Sequence, residues 1–335
     1  MFARRLALRL MTTAVTLIGV AVIVFVVIRV VPGNPIAMML PPGATEADIE
    51  RLRALYGFDR SIAEQFVIWA GGVLQGDFGT SITARRPVLG LVLGRLPATL
   101  ELASLALLIA IVLGGTLALL GTRWRDTRAE GAIDVTNGIA LSVPDFLWGL
   151  ILILLLGVVW PLFPISGRIT PALAREFATN FYLIESILRL RLDLTRVLLA
   201  HMALPALALA LPLAAIIAQL LKQSLKETMH LDYVTLARTK GYGEGRVIRA
   251  EALPNAVLPT LTLVGVQFTF LIGGTVIIER LFSYEGLGNL AIDAVINRDL
   301  PMIQGIVIVF AALFTLINLG VDLLYAALNP RLRHG

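Results

Sequence analysis

The sequence predicts an all-α integral membrane protein built on six transmembrane helices. Three observations carry that expectation. Hydrophobic residues make up 57% of the 335 and charged residues only 15%, where a soluble domain carries about a quarter charged. The mean hydropathy is +0.84. The apolar residues also gather into runs of roughly twenty, the length needed to cross about 30 Å of hydrocarbon. Backbone groups in lipid must be satisfied internally, so each run must be a helix.

The first run, Leu10–Val31, follows Arg4, Arg5 and Arg9. It is too long for a signal-peptide core and no small-x-small cleavage site follows, so it reads as a retained anchor. The others are Ala98–Leu120, Gly138–Trp160, Ala200–Leu221, Leu258–Ile278 and Gly305–Leu328. Pro205 and Pro212 fall inside the fourth and predict kinks, either along a pathway or with a packing role alone.

Topology follows from arginine and lysine placement. Residues 1–9, 121–131, 222–250 and 329–335 hold 14 Lys/Arg in 56 positions, whereas 32–97, 161–197 and 282–303 hold 12 in 125. The positive-inside rule therefore puts both termini in the cytoplasm of a multi-pass protein. An even number of spans agrees.

Segment 32–97 predicts a small external unit, which divides the chain into 1–96 and a five-helix core at 97–335. Pro32-Gly33-Asn34-Pro35 and Pro41-Pro42-Gly43 are turn signals. A helix capped near Thr45 would run through Ile49, Leu52 and Leu55 to Gly57, and a second fits Ile62 to Leu74. Gly76-Asp77-Phe78-Gly79-Thr80-Ser81 reads as a tight turn.

Several functions are excluded. With no cysteine and three dispersed histidines, a metal site is not expected. No Gly-x-x-x-x-Gly-Lys-Ser/Thr occurs, nor any Gly-Lys pair, so no nucleotide cofactor and no ATPase chemistry are expected on this chain. The net charge of +5 records topology and contact with membrane lipid; nucleic acid is not an expected partner.

The longest cytoplasmic connection, 222–257, is the most informative stretch. Asp232 is placed to cap a short helix from Tyr233 to Lys240. Gly241 follows as a left-handed terminator, and Gly243 and Gly245 allow a sharp turn. A second helix fits Glu244 to Leu253, with Pro254 and Pro259 bending the chain back into the fifth span. The residues alone leave open whether this projection docks a soluble partner or lies solvated at the membrane surface.

The loop resembles the signature of permease subunits of binding-protein-dependent ABC importers: Glu-Ala-Ala, three residues, Gly, nine residues, Ile-x-Leu-Pro. Ala237, Gly241, Leu253 and Pro254 stand at matching positions, while Thr235, Leu236 and Glu251 depart from it. The resemblance covers almost the whole chain and is closest to the dipeptide/oligopeptide/nickel branch. It is carried by Pro32–Pro35, Leu52–Gly57, Gly76–Ser81, Arg95–Leu102, Leu204–Leu207, Asp232–Val234, Glu285–Gly288, Arg298–Pro301 and Asn318–Tyr325.

The resemblance implies a type I ABC importer permease in a cell inner membrane, forming half of a pathway for peptides or similar small solutes. Its implied partners are a second homologous permease subunit, one or two cytoplasmic ABC ATPases and an external solute-binding protein. Loop residues Asp232, Ala237, Gly241, Gly243, Gly245, Leu253 and Pro254 would couple to the ATPase, the second helix sitting in its cleft. ATP-driven closure would rock the permeases as rigid bodies. Recognition would lie with the binding protein, leaving dipeptide, oligopeptide, glutathione and nickel chelate open.

Polar residues within spans are costly and invite functional readings. Asp145, Gln219 and Gln267 are candidates for the pathway lining. Glu101 and Asp322, near span ends, favour structural pairing, and Glu279 and Arg280 sit together where the fifth span ends. A self-sufficient ion-coupled carrier would favour inverted repeats and midplane carboxylates, and no repeat is visible. A membrane-embedded enzyme would need motifs such as His-Glu-x-x-His that the spans lack.

Overall fold

The computed structural model describes residues 2–30, 45, 47, 50 and 60–328, with backbone alone at 2–10, 28–30, 322 and 324–328. The turns at 32–35 and 41–43, the helix running to Gly57 and the Asp322 side chain lie outside the described residues. In chain order the helices are α1 (Phe2–Val30), α2 (Ile62–Leu74), α3 (Val88–Arg123), α4 (Arg128–Ser142), α5 (Asp145–Leu152), α6 (Pro171–Ala174) and α7 (Tyr182–Leu188). Then follow α8 (Leu192–Thr228), α9 (Asp232–Thr239), α10 (Glu244–Leu281), α11 (Leu287–Ile296) and α12 (Leu300–Leu328). Among the described residues the only β-pairing is an isolated bridge between Thr80 and Pro87.

Each expected span is built from helix, the third with a break, and among the described residues four helices (α3, α8, α10 and Leu300–Val321 of α12) are long and apolar enough to cross a membrane. Within α1 the shorter apolar stretch is Met11–Val27. The third expected span, Gly138–Trp160, is not one straight helix. It breaks at Val143-Pro144 into α4 and α5, bent by 103°. Pro144 cannot donate a helical hydrogen bond, and its ring pushes Val143 into extended backbone at φ −98°, ψ 123°. Past the break, α5 continues as a π-helix over Ile153–Val159.

Contacts divide the chain into two units. The first comprises Met1–Leu96 and Leu290–Leu319. Its helix α2 occupies the expected range and begins with a capping box: the Ser61 hydroxyl accepts from the Glu64 N–H, and the Glu64 carboxylate accepts from the Ser61 N–H. Phe25 of α1 is buried with its ring centroid 5.2 Å from Phe66 and 5.3 Å from Trp69. The tight turn at Gly76–Gly79 is present. Both glycines have positive φ (84° and 79°), where a Cβ would be strained, and Asp77 Oδ1 accepts from the Gly79 N–H at 2.9 Å.

The second unit comprises Pro97–Asn289 and Gly320–Gly335. Helix α8 is its centre, buried along most of its length and packed against α4, α5, α7 and α10. Pro205 and Pro212 both lie inside this single helix. Gly114 brings α3 close: a Cβ there would fall 2.5 Å from the Ala214 carbonyl oxygen, so a larger residue would force the helices apart. The connection 161–191 is not bare loop, since α6 and α7 lie within it, and sequence periodicity was too short-ranged to show them.

Glu185 of α7 organises that connection. Its carboxylate accepts from the Thr179 hydroxyl (2.6 Å), the Ala178 and Thr179 N–H groups and Arg189. The Thr179 hydroxyl leads these donors in pulling its pKa from 4.5 down to about 2. A depressed carboxylate pKa contributes stability above the unfolded value, lost as pH falls toward the folded one. The melting temperature of the detergent-solubilised chain should therefore fall as pH drops from 4.5 to about 2. Glu185→Gln should flatten that dependence, measured by differential scanning fluorimetry.

Candidate functional site

Segment 222–257 differs from its expected form in three ways. Asp232 is the first residue of α9 rather than its cap: Leu231, at φ −75° and ψ 148°, precedes the helix with no side-chain cap. The expected second helix is not separate. From Glu244 the chain runs as one 38-residue helix to Leu281, so Pro254 and Pro259 do not return the chain by a bend. A π segment at Val247–Ala252 sits where Pro254 has no N–H to offer the preceding turn, and this wider turn lets the helix pass the proline. Of the turn glycines only Gly241 has positive φ (79°); Gly243 sits in ordinary extended backbone ahead of α10.

Helix α9 ends as expected. The Gly241 N–H donates to the Arg238 carbonyl at 2.9 Å and the Tyr242 N–H to the Ala237 carbonyl at 3.3 Å. This two-bond terminator needs a left-handed residue at Gly241. Arg238 then pins the turn, donating to the Met229 carbonyl (3.2 Å) and to Glu244 (2.9 Å).

One face of α9 is anchored. Val234 and Ala237 are buried with Leu221, Leu225 and Met229 on one side and Val247, Ile248, Ala252 and Ala256 on the other, and Leu253 packs against the cluster. Outside that face apolar side chains are exposed: Leu236 is 54% exposed, Tyr233 39%, and Leu231, just ahead of the helix, 48%. The Tyr233 hydroxyl is held by the Asn255 amide at 2.8 Å. The sequence-based set of Asp232, Ala237, Gly241, Gly243, Gly245, Leu253 and Pro254 did not include Leu236, whose exposure follows from the burial of Val234 and Ala237.

The three pathway candidates are not brought together, and no hydrogen bond joins them. Asp145 is half-buried at the first position of α5, directly after the break, with Oδ1 accepting from the Phe146 N–H at 2.7 Å. Its Oδ2 lies 3.5 Å from where a Cβ would stand on Gly274, which places the carboxylate beside α10. Gln219 is exposed on α8 and Gln267 is half-buried on α10.

Other motif residues prove to be structural partners of one another. Glu279 is fully buried in α10 and accepts from the Thr99 hydroxyl (2.6 Å) and the Gly288 (2.7 Å) and Asn289 (3.1 Å) N–H groups. Thr99 in turn accepts from the Leu287 N–H at 2.8 Å. A Cβ on Gly286 would collide with the Glu279 carboxylate, and one on Gly288 with Val276. Glu101 pairs with Arg168 at 2.6 Å, both buried, and accepts the Leu183 and Ile184 N–H groups. In the first unit the Ser81 hydroxyl donates to Asp299 at 2.5 Å. The pairings of Thr99 with Glu279, Glu101 with Arg168 and Ser81 with Asp299 cross more than sixty residues of chain, beyond the reach of any local pattern.

Residues 106–334 match the family described as "Binding-protein-dependent transport system inner membrane component", and residues 2–103 match its N-terminal companion. The chain is 36% identical over 338 residues to the di/tripeptide transport system permease protein DppB of Pseudomonas aeruginosa, covering 99% of this chain and 98% of that one. It is 32% identical over 319 residues to the oligopeptide transport system permease protein AppB of Bacillus subtilis, covering 95% of each. The fold resembles the MetNI methionine ABC transporter in an inward-facing conformation, with a TM-score of 0.55 at 15% identity over 71% of this chain and 96% of that one.

Proposed function

The chain belongs to the family of binding-protein-dependent transport system inner membrane components, and from that premise we propose that it carries peptides or similar small solutes across the membrane. It is a transport subunit of an ABC importer, and ATP hydrolysis belongs to a partner ATPase while a solute-binding protein delivers the cargo. Peptide as cargo is supported by the relatives' stated substrates. Both termini lie in the cytoplasm in this reading, supported by the basic stretches at 1–9, 121–131 and 222–250. Residues 1–96 form an anchor with an external subdomain, and 97–335 a permease core that pairs with a second homologous subunit.

The observation that carries the coupling role is α9, whose buried face fixes it to α8 and α10 while Leu236 stands exposed. This helix, rather than the start of α10, meets the ATPase. Movement of the ATPase pair would pass directly into α8 and α10, because α9 shares one apolar cluster with their ends. Within that framework Ala237 acts by packing, Leu253 joins the same cluster, Asp232 opens the first turn of the helix and Gly241 terminates it.

Asp145 is the pathway residue the geometry favours. A half-buried carboxylate at a helix break, beside Gly274 of α10, suits the ammonium group of a peptide. Asp145→Asn should slow uptake of a free-amine peptide about tenfold, the loss of one charge-assisted hydrogen bond. An N-acetylated peptide should show no difference between the two proteins. Equal rates for the free-amine peptide in wild type and variant would remove Asp145 from the pathway.

The proposal as a whole is tested by reconstitution. The purified chain alone should neither hydrolyse ATP nor move peptide, and addition of the ATPases, sister permease and binding protein should restore both. Uptake by the lone chain under a proton gradient would favour an ion-coupled carrier instead.

A further inference from the structure

Between α3 and the start of α10 a groove of ≈ 670 Å³ opens beside the segment just assigned to coupling. Leu119, Leu120 and Ile248 line its wall, and Arg123, Arg246 and Arg249 stand around it. Arg123 Nη1 and Arg249 Nη2 converge on one backbone position, 3.3 and 3.6 Å from where a Cβ would stand on Gly245. The Arg246 guanidinium is steadied 4.1 Å over the Tyr242 ring. Glu244 also reaches the groove, but it is engaged by Arg238 at 2.9 Å. No carboxylate among the described residues pairs with the three arginines.

We propose that this groove holds one anionic phospholipid, its phosphate among the three guanidiniums and an acyl chain along the leucine and isoleucine wall. Two features favour lipid. Leu119 and Leu120 of that wall belong to the final turn of α3, a helix long and apolar enough to cross a membrane, which puts the groove at the level where hydrocarbon gives way to headgroups. Guanidiniums are matched to phosphate oxygens by charge and by bidentate geometry. An acidic protein segment would use the arginines and leave the apolar wall empty. A lipid seated here would brace the turn between α9 and α10, making coupling sensitive to membrane charge. The inference rests on the proposed cytoplasmic placement of 222–257.

The test uses the complete transporter in nanodiscs of phosphatidylcholine mixed with phosphatidylglycerol, with retained lipid read by native mass spectrometry. Wild type should keep phosphatidylglycerol in preference to phosphatidylcholine. Arg→Gln at 123, 246 and 249 should cut that retention about fivefold per arginine and on the order of a hundredfold together. Arg→Lys at the same three positions should keep most of it, and Arg125→Gln should change nothing. Should the triple variant fail to fold, Arg123→Gln alone still reads the fivefold loss. Equal retention of the two lipids, or undiminished retention by the glutamine variants, overturns the proposal. Loss of ATPase with lipid retained would give the groove to an acidic protein segment and equally overturn it. Leu236→Glu, measured alongside, should lose ATPase and keep lipid, which separates failure of the docking reading from failure of this one.

Discussion

Leu236→Glu should separate the chain from its ATPase while leaving α9 folded. Leu236 is 54% exposed and adds nothing to the buried cluster that seats the helix, so a carboxylate there costs the isolated chain little. In the assembled importer the same side chain would be enclosed. An interface anchor of this kind contributes roughly 2 kcal/mol or more, and placing a charge there removes that and adds desolvation. Association with the ATPase should weaken about thirtyfold or more, read as loss of co-purification and of peptide-stimulated ATP hydrolysis.

Two companion variants sharpen the result. Ala237→Glu lies one position on but is buried, so it should lower the yield of the chain itself. Gly241→Val forces a branched side chain onto φ +79°, where a non-glycine residue costs roughly 1–2 kcal/mol. It should loosen the α9 terminator and lose the ATPase as well. Unchanged assembly of Gly241→Val would mean that this segment is not the dock.

The second large effect is expected at Glu279. Its carboxylate satisfies one hydroxyl and two backbone N–H groups in a fully buried site. Glu279→Ala strands those donors and opens a cavity, at roughly 3–5 kcal/mol. Correctly inserted protein should fall sharply, measured by monodisperse yield after membrane extraction. Glu279→Gln should recover part of the loss, because one oxygen still accepts while the new amide faces donors. Gly286→Ala should resemble Glu279→Ala, since its methyl group meets the carboxylate, whereas Gly273→Ala should be silent because nothing lies near that position.

What could be read from the sequence follows the range of the interactions involved. Apolar runs of membrane-spanning length report on local burial in lipid, so each expected span is helical in the structure. The left-handed residue at Gly241 was legible because only glycine enters that region without strain. Pro144 carried the signal for the break in the third crossing, yet hydropathy over Gly138–Trp160 hid it, and hydropathy is indifferent to direction. Pro254 misled in the opposite sense: a π turn absorbs it and α10 continues. The pairings of Glu279 with Thr99, Glu101 with Arg168 and Ser81 with Asp299 depend on which helices meet. They were present in the sequence only as separate short motifs. The free face of α9 was likewise hidden until the burial of Val234 and Ala237 fixed its orientation.

The chain has no cysteine, so a single thiol can be placed at Leu236 and fitted with a photoactivatable cross-linker in the assembled importer. Illumination should join position 236 to the ATPase, with the adduct diminished when the same thiol is placed at the buried Val234. Absence of any ATPase adduct from position 236, in a complex that still hydrolyses ATP and imports peptide, would contradict docking through α9.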